Sequence, residues 1–176
     1  MKILNQSSEF LKCILIIFTV LISFTFADAQ LLKGSKIPEI SLKNNTDILV
    51  NLSTFQNKLL LVDFWASWCG PCRKANKKLV ALYNKHKDQD FEIVAISLDT
   101  DLTKWKNTIA KDKLQYTQLI DPYGFDAKSA VLFGVEALPS SYLFDATGIL
   151  IAINPTETDI LKQLNQRFDC IYIDPS

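Results

Sequence analysis

A nearly continuous apolar run at Leu59–Trp65, reading Leu-Leu-Leu-Val-Asp-Phe-Trp, constrains the fold more than any other feature of this sequence. A strand with one solvated face alternates polar and apolar residues, so this run predicts a central strand buried on both faces. From Pro71 to about His86, apolar residues then recur on one helical face, at Ala75, Leu79, Leu82 and Tyr83. A buried strand followed directly by an amphipathic helix is typical of an α/β domain.

The rest of the chain continues this alternation of strands and helices. We predict strands at 91–98, 117–120, 141–145 and 149–153, and helices at 101–112, 125–133 and from about 154 to 168. The last two strands flank a turn that ends at Gly148 and are expected to form a hairpin. Because helices between strands require crossover connections, the predicted fold is a central mixed β-sheet flanked by helices, with an antiparallel hairpin at one edge.

Local signals mark both ends of this region. At the start of the last helix, Asn154 is the predicted cap, Pro155 occupies the first helical position, and Glu157 lies three residues after the cap. At the other end, residues 30–58 are less regular. Two short strands are predicted there, around a turn at Asn44-Asn45.

Residues 1–29 have the features of an export signal. A basic start precedes an apolar run at 13–26, and an Ala-Asp-Ala site for signal peptidase ends at Ala29. A helix over that run would be about 21 Å long, short of a hydrocarbon core of roughly 30 Å. We therefore predict cleavage after Ala29 and a periplasmic domain at 30–176. The alternative is an uncleaved anchor in the inner membrane, with the same domain facing the periplasm.

The charge balance excludes one broad class of function. The 19 basic and 19 acidic residues cancel, and the pI is about 6.6. Nucleic-acid-binding domains normally carry a basic excess, so no nucleic-acid partner is expected. Four cysteines are too few for a disulfide scaffold, which favours a chemical role over a structural one. They are Cys13, Cys69, Cys72 and Cys170.

The segment Trp68-Cys69-Gly70-Pro71-Cys72 carries the predicted chemistry. Two thiols three positions apart at the start of a helix can close a small, reversible disulfide. Cys69 is expected at the helix N-terminus, where free N–H groups and the helix dipole favour a thiolate and lower the pKa of the thiol. Cys72 lies further into the helix, placed to attack a mixed disulfide formed on Cys69.

Other roles for these cysteines are less well supported. A structural disulfide closing so short a loop would remove little entropy from the unfolded chain. A zinc site needs about four ligands, and after the signal the chain offers only Cys69, Cys72, Cys170 and His86. A module that binds a metal such as copper through Cys69 and Cys72 stays open as the alternative from another functional class.

Residues 62–73, Val-Asp-Phe-Trp-Ala-Ser-Trp-Cys-Gly-Pro-Cys-Arg, resemble the active-site stretch of the thioredoxin superfamily. Together with the export signal, the segment 134–139 and the strand–turn–strand at 142–153, they resemble the TlpA/ResA-like exported thiol–disulfide oxidoreductases. The resemblance covers about 35–168. It implies a thioredoxin-like fold for 30–176 and reduction of protein disulfides through a mixed disulfide.

The resemblance also implies roles for further residues. Asp63 matches the buried carboxylate that takes the proton of the second cysteine, and burial in an apolar strand should raise its pKa. The alternative for Asp63 is a solvated position at a strand end, paired with a lysine. Pro139 matches the proline whose peptide bond is cis beside the cysteines. The residues expected to contact the substrate are Trp68, Gly70, Pro71 and Leu138.

Two departures from the relatives affect this expectation. Ala75 and Lys77 stand where the relatives often have Glu and Pro, so a role in cytochrome c maturation is in doubt. Leu138 and Ser140 flank the proline where a β-branched residue and Thr are more usual, which would alter contacts to the substrate backbone.

The expected partners follow from this chemistry. They are a disulfide-bearing protein substrate and a membrane electron donor that re-reduces the pair, and the domain is expected to be a monomer without a cofactor or metal. The Gly70-Pro71 dipeptide favours a reductant, although an oxidant or isomerase and a thiol peroxidase are alternatives. Cys170 is expected to pack as a small apolar residue or to form a disulfide with another molecule. His86 is expected to be solvated.

Overall fold

The computed structural model describes residues 31–172, with side chains described as far as residue 166. The predicted signal peptide at 1–29 lies outside the described residues. Within 31–172, no helix combines the length and the apolar character needed to cross a membrane.

The described residues form seven strands and four α-helices, in the predicted alternating order. The strands are β1 Ser41–Asn44, β2 Leu49–Asn51, β3 Leu59–Trp65, β4 Phe91–Ser97, β5 Thr117–Ile120, β6 Ser140–Phe144 and β7 Leu150–Ile153. The helices are α1 Gly70–His86, α2 Leu102–Asp112, α3 Lys128–Phe133 and α4 Glu157–Tyr172. Two single 3₁₀ turns lie at Leu52–Phe55 and Gly124–Asp126.

All seven strands belong to one mixed sheet, in the order β2-β1-β5-β4-β3-β6-β7. The three central strands β3, β4 and β5 are parallel. The hairpin of β6 and β7 joins β3 antiparallel, which confirms the predicted hairpin at one edge. The hairpin of β1 and β2 joins β5 antiparallel at the other edge, so the fold has an antiparallel hairpin on each side.

Strand β3 is buried along its whole length, as its apolar sequence predicts. On one sheet face, Val62 and Phe64 pack in a core with α3, where the Phe64 and Phe133 rings are 5.1 Å apart. On the other face, Leu61 and Trp65 pack in a second core with α1, α2 and α4. The carboxyl ends of the parallel strands meet at one edge of the sheet, and the loop from β3 to α1 lies at that edge.

The predicted start of the last helix is wrong in detail. Helix α4 begins at Glu157, and its capping box is formed by Thr156 and Asp159, whose side chains accept each other's backbone N–H groups. Asn154 instead has a φ of 49° and exchanges two hydrogen bonds with Ser141 of β6. Asn154 therefore makes a tertiary contact with β6 instead of the helix cap that the local sequence pattern predicts.

Two further expectations need correction. The predicted helix at 125–133 is divided into a 3₁₀ turn and α3, because Ala127 between them is extended. His86 is buried rather than solvated, with its Nδ1 2.6 Å from Oε1 of Gln89. The N-terminal half of α4 lies near the end of α1, since Glu157 and Leu161 line one cavity with His86.

Candidate active site

The two motif cysteines are joined by a disulfide at the N-terminus of α1, with their Cα atoms 5.3 Å apart. Cys69 is the N-cap residue, and its Sγ accepts a hydrogen bond from the backbone N–H of Cys72 at 3.2 Å. Pro71 lies in the first turn, where its missing N–H removes no helical hydrogen bond. The cap position therefore aims a backbone donor and the positive end of the helix dipole at the sulfur of Cys69.

The surroundings of the disulfide make the two sulfurs unequal. Cys69 is 5% exposed and Cys72 is fully buried, so an incoming group meets Cys69 first. The side chain of Trp68 is 62% exposed beside Cys69, and Gly70 and Pro71 are also on the surface. These neighbours form an exposed rim beside Cys69, and the substrate contacts expected at Trp68, Gly70 and Pro71 stay a prediction.

The peptide bond between Leu138 and Pro139 is cis, as the resemblance implies. Pro139 is exposed, whereas Leu138 is partly buried and packs against both cores, including the one that contains the two cysteines. The next residue, Ser140, turns its hydroxyl back onto the carbonyl oxygen of Ala137 at 2.7 Å. This short loop is thereby held with Pro139 facing solvent.

Asp63 lies in the middle of β3, on the sheet face covered by α1. It is 4% exposed, and its Oδ2 has no hydrogen-bond partner in the protein. Burial penalises the charged carboxylate and raises the pKa of Asp63 from 3.8 to about 8. The structure therefore contradicts the alternative of a solvated aspartate paired with a lysine, and the carboxyl group can accept or release a proton near neutral pH.

A cavity of about 350 Å³ connects Asp63 with the proline loop. Pro139 and Asp63 line this cavity together with Ala75 and Lys78 of α1 and Glu157 of α4. Ala75 is the position where relatives often have Glu, and its methyl group leaves the cavity open there. We call this space the proline-side cavity.

Asp99 fixes the loop that carries Cys69, a role that the sequence analysis missed. This carboxylate is 1% exposed and accepts hydrogen bonds from the backbone N–H and the hydroxyl of Ser67, at 2.8 and 2.7 Å. It also accepts one from the hydroxyl of Ser97 at 2.8 Å. An acidic residue directly after a buried parallel strand is the signal that points to it, since such positions lie at the same sheet edge as the cysteines.

Removal of this carboxylate is expected to destabilise the protein. Asp99→Ala leaves the buried hydroxyl of Ser97 and two partly buried donors of Ser67 without their acceptor, so we expect the free energy of unfolding to fall by about 3 kcal/mol. Urea unfolding of the oxidised protein measures this loss. The matched control is Asp145→Ala, because Oδ1 of Asp145 also accepts three hydrogen bonds, but in a largely exposed turn where water can replace it. An equal loss in both variants would contradict the role given to Asp99.

A second contact outside the predicted site holds the beginning of α1. Arg73, next to Cys72, forms a bidentate ion pair with Asp112 at the end of α2, at 2.6 and 2.7 Å. The guanidinium hydrogen bonds of Arg73 hold the pKa of Asp112 below its usual range. This pair ties the two helices together one residue after the active cysteine pair.

The remaining predicted residues lie away from this centre. The backbone of Cys170 belongs to α4, and its side chain lies outside the described part, so both expectations for it stay predictions. Among the described residues, no group of three or more His, Cys, Asp and Glu side chains is arranged to hold a metal ion.

Comparisons with known proteins agree with this geometry. The model of the AhpC/TSA family matches residues 33–153. A thiol-disulfide oxidoreductase ResA from Bacillus thuringiensis subsp. konkukian (strain 97-27) is 29% identical over 134 residues, which cover 76% of this chain and 76% of that protein.

Two solved structures are also similar. A thiol-disulfide oxidoreductase from Bacteroides fragilis NCTC 9343 is 32% identical with a TM-score of 0.70, and the match covers 76% of this chain and 99% of that one. The thioredoxin domain of a thiol-disulfide oxidoreductase from Bacteroides vulgatus is 29% identical with a TM-score of 0.70, covering 78% of this chain and 99% of that one. The arrangement of sheet and helices described above is therefore similar to that of two solved thiol-disulfide oxidoreductases.

Proposed function

The chain belongs to the AhpC/TSA family and is a thiol–disulfide oxidoreductase of the ResA type, and from this premise we propose that it reduces disulfides in exported partner proteins. The observation that carries the proposal is the Cys69–Cys72 disulfide at the N-terminus of α1, with Cys69 the more exposed sulfur and Asp63 buried beneath the same helix.

Reduction of a partner begins at Cys69. In the dithiol form, its thiolate attacks one sulfur of the partner's disulfide, and the other partner sulfur leaves as a thiolate that takes a proton from solvent. The N–H of Cys72 and the helix dipole stabilise the attacking thiolate. The product of this step is a mixed disulfide between Cys69 and the partner.

Release of the partner requires Cys72. Its thiol gives its proton to the carboxylate of Asp63, and the resulting thiolate attacks the sulfur of Cys69. The bond between Cys69 and the partner breaks, the Cys69–Cys72 disulfide forms, and the partner leaves as a thiolate that is protonated by solvent. A carboxyl group with a pKa near 8 suits this exchange, because it is close to the pKa of a thiol.

The exposed rim positions the partner for this reaction. We assign substrate contacts to Trp68, Gly70, Pro71 and Leu138. Pro139 supplies a backbone segment without an N–H, so its carbonyl and the neighbouring backbone are left to pair with an extended chain. Support comes from the exposed Trp68 ring and the exposed cis proline beside the proline-side cavity.

Direction and location complete the proposal. The Gly70-Pro71 dipeptide favours the reductant over the oxidant or isomerase, and a membrane electron donor would return two electrons to the disulfide after each cycle. The signal at 1–29 would direct the domain at 30–176 to the periplasm as a monomer, either released after Ala29 or held by an uncleaved anchor.

Reduction of a disulfide-bearing protein such as insulin tests the proposed function. The reduced protein is expected to open one insulin disulfide per molecule, whereas the Cys69→Ser variant is expected to open none. Tight stoichiometric binding of copper by the reduced protein, without reduction of insulin, would support the metal-binding alternative instead.

A further inference from the structure

Four buried polar side chains, on α1 and on the sheet face beneath it, each have at least one atom without a hydrogen-bond partner in the protein. The atoms are Oδ2 of Asp63, both amide atoms of Asn76, Oη of Tyr116 and Oε1 of Gln118. Each of these residues is less than a tenth exposed. Only Asp63 has a role in the mechanism above, so the other three need an explanation.

Sheet register brings these groups into one region. Asp63 pairs with Ala95 of β4, and Ala95 pairs with Gln118 of β5, so the three residues form a row across one sheet face. Tyr116, two residues before Gln118, lies on the same face, in the core that also contains Ala95. The Cα atoms of Asp63 and Gln118 are two strand spacings apart, about 10 Å, and the residue between them in this row is Ala95, whose side chain is only a methyl group.

Helix α1 covers this row and adds the fourth group. Asn76 is fully buried, one turn after Cys72 on the side of α1 that faces the sheet, and α1 packs against β4. The amide of Gln118 lies close enough to the hydroxyl of Tyr116 to act on its pKa, yet the two form no hydrogen bond of ordinary length. Oη of Tyr116 and Oε1 of Gln118 are therefore both available to a buried water molecule.

The polar row reaches the surface at both ends. Asp63 lines the proline-side cavity. On the opposite side, Tyr116 and Gln118 line a separate, mostly polar cavity of about 270 Å³ with Tyr83 and Asn44. We call this second space the far cavity. Buried polar side chains on the sheet face that α1 covers therefore line both cavities, with Asp63 at one and Tyr116 and Gln118 at the other.

Energetics indicate what fills the gaps between these groups. A buried polar atom without a hydrogen bond costs about 1–3 kcal/mol, and here four side chains would bear that cost together. Native proteins satisfy such groups with buried water that makes two to four hydrogen bonds. An amide, a phenol and a second amide in a row supply both donors and acceptors for such molecules.

We propose that Asn76, Tyr116 and Gln118 hold a chain of buried water molecules that carries the proton of Asp63 to the far cavity. These three are positioning residues, since they act on Asp63 through water and do not touch the reacting sulfurs. The proposal rests on the function proposed above, in which Asp63 takes the proton of Cys72.

This route matters while a partner is bound. A partner docked on Pro139 covers the proline-side cavity, which closes the shorter exit for the proton. The Asp63 carboxylic acid then releases its proton along the water chain, the carboxylate is restored, and the partner thiolate takes up a proton from solvent as it leaves. The charged groups around Asp63 are Lys78 and Glu157 at the proline-side cavity, and the hydroxyl of Tyr116, the residue before β5, lies on the same side of the sheet.

Two conservative variants test the water chain. Tyr116→Phe removes a single oxygen, and Gln118→Met replaces the amide with an apolar side chain of similar length. The control is Ser129→Ala, which removes another fully buried hydroxyl without a partner, but on α3, whose core lies on the other sheet face. Rapid-quench measurements with insulin follow formation and then decay of the mixed disulfide, in H₂O and in D₂O.

We expect the variant with both Tyr116→Phe and Gln118→Met to form the mixed disulfide at the native rate and to resolve it about tenfold more slowly. This loss is smaller than the factor of ~10²–10⁴ expected when a direct acid–base group is removed. Its solvent isotope effect on resolution should increase, and Ser129→Ala should match the native protein in both steps. If Gln118→Met does not fold, Tyr116→Phe alone decides, with a measurable slowing of resolution required.

Two results would overturn the proposal in distinguishable ways. In the first, the Tyr116 and Gln118 variants resolve the mixed disulfide at the native rate with an unchanged isotope effect, while Asp63→Asn resolves it slowly. This result would exclude the water chain and leave the proposed function intact. Failure of the native protein to form any mixed disulfide would instead remove the proposed function and the water chain with it.

Discussion

Replacement of Cys72 by serine is expected to stop the reaction at the mixed disulfide. Cys69 keeps its position at the helix N-terminus as the more accessible of the two sulfurs, so the variant still attacks a partner, but the neighbouring thiol that releases the partner is absent. Turnover should fall by at least about 10³-fold, as in enzymes that lose a reacting group. Non-reducing electrophoresis should show a covalent adduct that an added thiol dissolves.

The matched variant for this experiment is Cys69→Ser. Cys72 is fully buried, so a protein that retains Cys72 without Cys69 should neither turn over nor form the adduct. The reverse pattern, with adducts on Cys72 and none on Cys69, would contradict the order of attack derived from the two exposures.

Replacement of Asp63 by asparagine is expected to slow the release step and to change how stability depends on pH. Loss of the proton acceptor should reduce the rate of resolution by about 10²-fold at pH 7. The rate at which Cys69 forms the mixed disulfide should change little, because Asp63 lies beneath the helix and away from the exposed sulfur. Rapid-quench measurement of the two steps separates these effects.

The stability effect follows from the raised pKa of Asp63. Between 3.8 and about 8, the folded protein retains a proton that the unfolded chain has released. The free energy of unfolding therefore falls as pH rises through this range, by several kcal/mol, and is constant above it for this group. The Asp63→Asn variant should lose this decline and exceed the native protein in stability at pH 9. Equal urea midpoints for both proteins at pH 5 and pH 9 would contradict burial of the Asp63 carboxyl group and the raised pKa that follows from it.

Local patterns in the sequence suffice to predict most of the fold. The run Leu59–Trp65 matches β3, and the antiparallel hairpin of β6 and β7 is as predicted, because both depend on short-range apolar patterning and turn residues. Tertiary contacts overrule the same local rules elsewhere. Asn154 pairs with Ser141 instead of capping α4, and His86 is buried although it ends a lysine-rich helix.

Only some features of the active site can likewise be predicted from the sequence. The cysteine pair and Asp63 can be found from sequence, since two thiols at a helix start and a carboxylate in an apolar strand are unusual. The position of Asp99 after a buried strand marks it as a residue near the cysteines, but the burial of Asp99 and Gln118 cannot be predicted, because acidic and amide side chains are ordinarily solvated. Their burial arises only when sheet register and α1 bring them under cover.

The reduction potential of the Cys69–Cys72 pair tests directly whether the protein acts as a disulfide reductase. Equilibration of the protein with a series of dithiol buffers, followed by thiol labelling, measures the oxidised fraction at each potential. We expect a reversible two-electron couple with a reduction potential near that of thioredoxin, about −270 mV. A value near −120 mV would contradict it and make the protein an oxidant, and the absence of a reversible couple would exclude thiol–disulfide exchange altogether.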